Sequence, residues 1–175
     1  LHPGLRCVQT PGGRRESTVI HLRYLQPQDA PFMLEWMHDP ELVQHMRGQF
    51  ASKTLQDCYR FIDCAAQDPT DVHRAVADEQ NVYLGTVSLK NLDKDDRQAE
   101  FAICMRRCAQ GKGAAAAAMQ AILQFGFQEL GLRRIYWCVD PENHRARRFY
   151  QKQGYQPLDL CPDAQNLLWY EVLAE

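Results

Sequence analysis

The sequence predicts a mixed α/β domain built around one central sheet. Three observations support this prediction. Apolar and polar residues alternate in several short segments, beginning with 18–25, as they do on half-buried strands. Apolar residues recur at helical spacing between 119 and 130. Helices separate these groups of strands, an order typical of a single sheet with helices packed on its faces.

The first half of the chain is predicted to hold one strand, three short helices and a β-hairpin. Asp29 can cap the first helix, Pro40 suits the first turn of the second, and Pro69 ends the third. The hairpin follows from two strand-like runs on either side of a polar turn. The predicted bounds are 18–25 for the strand, 27–37, 40–46 and 54–66 for the helices, and 72–77 and 82–89 for the hairpin.

The second half is predicted to combine four strands with two helices. The longer helix carries one continuous apolar stripe and ends at Gly131, which suits a left-handed cap. That stripe consists of Met119, Ile122, Leu123, Gly126, Phe127 and Leu130. The predicted bounds are 99–105, 134–139, 154–160 and 166–173 for the strands, and 114–130 and 143–152 for the helices.

Composition and charge exclude several classes of protein. The 175 residues are 45% hydrophobic and 24% charged, which excludes a disordered chain and suits a single domain. The formal net charge of −2 provides no field that would attract nucleic acid or an anionic membrane. No membrane-spanning run or secretory leader pattern is present, so we expect a cytoplasmic protein without nucleic-acid or membrane partners. Residues 1–17 are predicted to be a flexible N-terminal extension of a domain covering 18–175.

The sequence gives no indication of metal or covalent nucleophile chemistry. The 7 cysteines are scattered without a Cys-x-x-Cys pair, so no metal is expected. A Gly-x-Ser-x-Gly turn is also missing, which argues against an acyl-enzyme intermediate.

The most informative segment is the glycine-containing turn after the strand at 99–105. Gln110-Gly-Lys-Gly leads directly into a helix whose first turn exposes backbone N–H groups, a favourable site for phosphate. Gly111 and Gly113 allow close approach of a ligand, and Lys112, Arg106 and Arg107 could add charge. The alanines that follow, 114–118, are explained by helix propensity or by the need to keep the helix start clear.

A second group of polar residues lies at 139–155. Asn143 is predicted to cap a helix, and Tyr150 lies almost two turns later on the same face. The Tyr150 hydroxyl is therefore a candidate proton donor, although a tyrosine packed in the core would show the same spacing.

Together these segments resemble the GNAT superfamily of acetyl-coenzyme A dependent N-acetyltransferases. Gln110 to Ala115 fits the family signature [QR]-x-x-G-x-[GA], and Asn143 to Tyr155 fits N-x-x-A-x-x-x-Y-x-x-x-G-[FY]. Leu22-Arg-Tyr-Leu resembles the branch that contains ribosomal-protein-alanine N-acetyltransferases. The resemblance covers about 18–173, and it departs from the family at Cys108-Ala109, where a proline is frequent.

The resemblance implies a GNAT-like fold, with a mostly antiparallel sheet and a splayed parallel strand pair flanked by helices. Acetyl-coenzyme A is the implied co-substrate, held between the strands at 99–105 and 134–140. The implied cofactor-binding residues are Ile103, Cys104, Met105, Gln110, Gly111, Lys112, Gly113, Ala114, Ala115, Asn143 and Arg147.

The resemblance also implies direct attack of a primary amine on the thioester. Glu100 is the candidate base, directly or through water, and Tyr150 the candidate donor to the leaving sulfur. The acceptor would be a small-molecule or peptide amine, such as a protein N-terminus, a polyamine or an amino sugar. Trp36, Glu41 and Phe50 are expected around it, and a homodimer is expected because the family commonly dimerises. The alternative is a non-catalytic module that binds acyl-coenzyme A as a sensor or structural unit.

Overall fold

The computed structural model describes residues 19–159 and 165–175, and these form one six-stranded sheet. The strands are β1 His21–Arg23, β2 Val72–Ala77, β3 Tyr83–Asp93, β4 Gln98–Met105, β5 Arg134–Val139 and β6 Leu168–Leu173. They follow chain order across the sheet, and every neighbouring pair is antiparallel except β4 and β5, which are parallel. The predicted mixed α/β fold with one splayed parallel pair is therefore confirmed.

Helices cover both faces of this sheet. They are α1 Ala30–Met37, α2 Pro40–Val43, α3 Leu55–Ala65, α4 Ala114–Gln128 and α5 His144–Lys152, with short 3₁₀ turns at Pro27–Asp29 and Arg107–Ala109. One core cluster joins α4 and α5 to the sheet, and a second joins α1 and α3 to its opposite face. Successive side chains along β4 point to opposite faces of the sheet, so this strand contributes to both core clusters. Phe101 and Met105 belong to the first cluster, whereas Cys104 packs against the second.

Several predicted element bounds were wrong. The strand expected at 154–160 is not formed by 154–159, and Leu160 lies outside the described residues. In this segment the Leu158 N–H donates one hydrogen bond to the Trp169 carbonyl, at 2.7 Å. The first strand is limited to His21–Arg23, and the second helix ends at Val43 instead of at 46.

Two predictions about single residues were also wrong. The Asp29 carboxylate does not cap α1, because it accepts the Gln26 N–H at 2.8 Å and pairs with the Arg23 guanidinium at 2.7 Å. Leu130 lies beyond the end of α4 and is 38% exposed, whereas Met119, Ile122 and Leu123 are buried as expected. The predicted extension at 1–17 lies outside the described residues. Among the described residues, no helix is both long and apolar enough to span a bilayer.

Candidate active site

The parallel strands β4 and β5 pair over only three residues and then separate. The pairs are Gln98 with Arg134, Ala99 with Ile135, and Glu100 with Tyr136. Beyond Glu100, β4 continues to Met105 paired with β3 alone, while β5 continues to Val139 paired with β6 alone. The sheet therefore contains a V-shaped opening, closed at Glu100 and Tyr136, whose limbs are 101–105 and 137–139. This confirms the predicted splay.

The glycine turn and the start of α4 lie at the open end of the V. Gly111 and Gly113 have φ of +76° and +83°, a conformation that glycine adopts without steric cost. A Cβ placed on either glycine would meet no atom within 4 Å, so the space in front of the turn is open. Ala117 is the first residue whose N–H reaches back to the turn, at 3.1 Å from the Gly113 carbonyl. The N–H groups of 114–116, in the first turn of α4, therefore have no intrahelical acceptor.

Three predicted contributions to this anion site are absent. The Gln110 N–H donates to the Arg107 carbonyl at 3.2 Å, so it is not available to a phosphate. The Arg106 guanidinium pairs with Glu35 at 3.1 Å, and the Arg107 guanidinium pairs with Asp39 at 2.7 Å. Both arginines therefore attach the turn after β4 to the helices on the opposite face of the sheet.

Asn143 lies at the same end of the V, where the loop after β5 enters α5. Its side-chain oxygen accepts the Ala146 N–H at 3.1 Å, which confirms that it caps the helix. The predicted Arg147 donates to the Pro141 carbonyl at 3.1 Å. The charge of Arg145 interacts with the charges of Arg107 and Asp39, and with Cys104 at the open end of β4.

Tyr150 packs against the free limb of β5. Its ring lies 5.2 Å from that of Trp137, the first β5 residue beyond the parallel pairs, and 5.3 Å from that of Tyr170. Burial raises the pKa of the Tyr150 phenol well above its ordinary value, so the hydroxyl stays protonated at neutral pH. Trp137 also keeps a buried indole N–H that has no partner among the described residues.

Glu100 lies at the closed end of the V and is held by two neighbours. The Arg47 guanidinium donates to one carboxylate oxygen at 3.2 Å and to the Cys138 sulfur at 2.9 Å, and the Asn91 amide donates to the other oxygen at 3.3 Å. Arg47 thus connects β4 to β5 on the face that carries α1 and α3. Arg47 lies in a loop without a regular sequence pattern, so no local signal marks it as a partner of Glu100.

A cavity of about 250 Å³ lies on that same face, between α1, α3 and the sheet. The predicted Trp36 and Phe50 both line it, with ring centroids 5.4 Å apart, and the Trp36 indole donates to the Tyr83 hydroxyl at 3.0 Å. Ile103 and Cys104 line it from the free limb of β4. Glu41, which was also expected around the acceptor, does not line this cavity; its carboxylate pairs with Arg107 at 3.1 Å.

Polar side chains at the sheet side of the cavity include a buried hydrogen-bonded pair. His73 Nδ1 lies 2.6 Å from Ser88 Oγ, and His73 Nε2 lies 3.8 Å from an Asp71 carboxylate oxygen. Ser88 is aligned with Ala102 of β4, beside the V. Burial lowers the pKa of His73, so its imidazole is neutral at pH 7. The predicted hairpin placed both residues on strands, but only its register shows that they meet.

Cys104 lines the cavity from the free limb of β4. Burial raises its pKa to about 12, so it remains a protonated thiol under ordinary conditions.

Comparison with known proteins identifies the class to which this fold and site belong. A family model described as the acetyltransferase (GNAT) domain matches residues 20–156, and the chain therefore belongs to the GNAT acetyltransferases.

Several of its relatives are named as N-acetyltransferases. Spermidine N(1)-acetyltransferase of Escherichia coli K12 is 32% identical over 136 residues, which are 77% of this chain and 67% of that protein. YdaF of Bacillus subtilis, provisionally named a ribosomal N-acetyltransferase, is 32% identical over 71 residues, 41% of this chain and 39% of that protein. The crystal structure of Vibrio cholerae spermidine N-acetyltransferase in complex with CoA and spermine has a similar fold, with a TM-score of 0.77, 23% identity, and coverage of 88% of this chain and 95% of that chain.

Proposed function

We propose that this chain transfers an acetyl group from acetyl-CoA to a primary amine by direct attack. The observation that carries the proposal is the V between β4 and β5, which opens toward the glycine turn at the start of α4. An extended thioester can lie along the free strand edges while its phosphates meet the helix N-terminus. The cavity beside Ile103 and Cys104 supplies a separate space for the amine.

The residues around the V fit such a co-substrate. Open space lies in front of Gly111 and Gly113, where a Cβ would otherwise stand. The N–H groups of 111–115 would hold the diphosphate, and the limb at 103–105 would hold the pantetheine arm. The Asn143 amide nitrogen and the Arg145 guanidinium, at the mouth of the V, would bind polar groups of the nucleotide arm.

Acetyl-CoA supplies an acyl group activated as a thioester. Tyr150 would donate a hydrogen bond to the departing sulfur. A phenol is a weaker acid than a thiol, with ordinary pKa values of about 10 and about 8.5, and burial weakens it further. Tyr150 would therefore stabilise negative charge on sulfur mainly as a hydrogen-bond donor.

The acceptor must lose a proton before it attacks, because an alkylammonium has a pKa of about 10.4. Glu100 is one candidate base, and it would act through water because Arg47 and Asn91 hold its carboxylate. The second candidate is the Ser88–His73 pair, which lines the cavity. Ser88 Oγ would take the proton from the ammonium while its own proton passes to His73 Nδ1, and Asp71 would stabilise the resulting imidazolium.

The proposal is tested by measuring free thiol release from acetyl-CoA with a panel of primary amines, together with CoA binding by calorimetry. We expect amine-dependent thiol release and a matching acetylated product. CoA binding without transfer to any amine would instead favour the non-catalytic acyl-CoA-binding module. Absence of CoA binding would overturn the proposal.

A further inference from the structure

We propose that the acceptor is a monoamine carried on an apolar body, such as an arylalkylamine, and not a polyamine. This inference rests on the proposed function and concerns the cavity between α1, α3 and the sheet. It separates this chain from the relatives that are named spermidine acetyltransferases.

The walls of the cavity are mainly apolar. The helices α1 and α3 and the loop after α2 contribute sulfur-containing and aromatic side chains, and the free limb of β4 forms another part of the wall. The apolar side chains that matter most here are Met33, Trp36, Met46, Phe50 and Phe61. Such a surface gains stability by burying a ring or an alkyl chain, and it offers little to a linear polycation.

The carboxylates around the cavity and the V are already matched by basic side chains of this chain. Asp57 lines the cavity, but its oxygens accept the Thr54 N–H at 2.8 Å and the Arg60 guanidinium at 2.6 Å. Further ion pairs are Glu35–Arg106, Asp39–Arg107, Glu41–Arg107 and Glu100–Arg47, and His45 Nδ1 lies 3.0 Å from an Asp140 carboxylate oxygen. A polyamine would have to displace an arginine or histidine to reach one of these carboxylates.

Two lysines in the cavity wall oppose a second positive charge. Lys53 and Lys90 line the cavity, and neither forms an ion pair within the part of the chain that the structure describes. Lys90 is aligned with Glu100 across β3 and β4, yet the Glu100 carboxylate bonds to Arg47 and Asn91. The carboxylates of Asp68 and Asp71 lie within 4.8 Å of a His73 ring nitrogen, but neither residue lines the cavity.

One amine can still be accommodated at the sheet side of the cavity. Ser88 Oγ and the neutral imidazole of His73 form a polar site there, and Thr86 adds a second hydroxyl. A single ammonium bonded to Ser88 would leave the rest of the acceptor against apolar side chains.

The test compares phenethylamine with spermidine as acceptors at equal concentration, and measures the binding of each amine to the CoA-free chain by calorimetry. We expect kcat/KM for phenethylamine to exceed that for spermidine by at least about 10-fold, with binding in the same order. Lys53→Glu should raise the relative kcat/KM for spermidine several-fold. Lys94→Glu, the same charge change in an exposed turn remote from the cavity wall, should leave the ratio unchanged.

Spermidine preferred over phenethylamine, both in turnover and in binding, would overturn the inference while leaving the acetyltransferase proposal intact. Equal responses of Lys53→Glu and Lys94→Glu would also contradict the role given to the cavity charge. If no amine is acetylated, the proposed function fails, and the order of the two calorimetric affinities still decides the preference of the cavity.

Discussion

At the scale of single residues, Tyr150 shows how packing determines what a side chain can do. The same phenol on a solvent-exposed helix would be an ordinary titrating group. Here it lies among the rings of Trp137, Phe149 and Tyr170, and burial holds it in the protonated form. That state suits a fixed hydrogen-bond donor beside the free limb of β5.

Replacing this donor tests its role. We expect Tyr150→Phe to lower kcat by on the order of 10²-fold, while calorimetry shows nearly unchanged CoA affinity, because the ring still packs against Trp137. Tyr155→Phe is the matched control, since Tyr155 contacts the same indole at 5.3 Å. Equal turnover of the wild type and Tyr150→Phe would show that another group assists the departing sulfur.

The pH dependence of kcat tests whether His73 takes part in removing the proton from the acceptor amine. Burial lowers the pKa of His73, as do the charges of Lys90 and Arg74, whereas Asp71 and Asp68 oppose that shift. The base form is therefore present at neutral pH, and kcat should fall as pH drops through a value below about 6.5, the ordinary histidine pKa.

Two variants separate the candidate bases. If Ser88 and His73 carry the proton, Ser88→Ala should lower kcat by about 10²-fold, and Glu100→Gln should lower it by less than about 10-fold. The reverse order would assign the base to Glu100. Circular dichroism of each variant checks that the sheet is intact.

At the scale of elements, the turn before α4 is the part to which the proposed function assigns CoA binding. Gly113→Ala should weaken CoA binding by about 10-fold or more, because its Cβ would enter the open space in front of the turn. Gly154→Ala is the matched control. Gly154 has a φ of +87°, and a Cβ there would also meet nothing within 4 Å, but it lies at the opposite end of α5 from Asn143.

Both substitutions impose a similar backbone strain of about 1–2 kcal/mol. A loss of CoA affinity confined to Gly113→Ala therefore reports the binding site, not strain. Equal affinities of the two variants would contradict an anion site at the turn.

The free limb of β4 also depends on its close approach to β3. A Cβ on Gly85 would lie 2.5 Å from the Cys104 carbonyl oxygen and 2.9 Å from the Met105 Cα, so the backbone of the limb would have to move. Gly85→Ala should lower the free energy of unfolding by about 1–3 kcal/mol in urea titrations. Unchanged or increased stability would show that β3 and β4 have room for a Cβ at Gly85.

At the scale of the whole molecule, the sequence predicts the framework better than the details of the site. The order of strands and helices and the turn at 110–115 follow from local patterns, and the splay follows from the resemblance. By contrast, Arg106 and Arg107 bind carboxylates on α1 and α2, and Arg47 reaches Glu100 across the sheet. Such pairings depend on how distant segments meet in three dimensions, which no local spacing reports.

The strand expected at 154–160 shows that a local pattern can also predict an element that the fold does not form. Its residues alternate as a strand would, yet 154–159 form no ladder, and β5 is paired along its length with β6. The opposite edge of β5 pairs with β4 over three residues and then faces the V. Under the proposed function, this gap between two packed faces of one sheet would hold the extended co-substrate.

A crystal structure of the chain with bound CoA tests the central claim most directly. We predict that the diphosphate contacts the N–H groups of 111–115, and that the pantetheine arm lies between the limbs 101–105 and 137–139. A diphosphate bound elsewhere, or limbs that close against each other beside the ligand, would contradict the account.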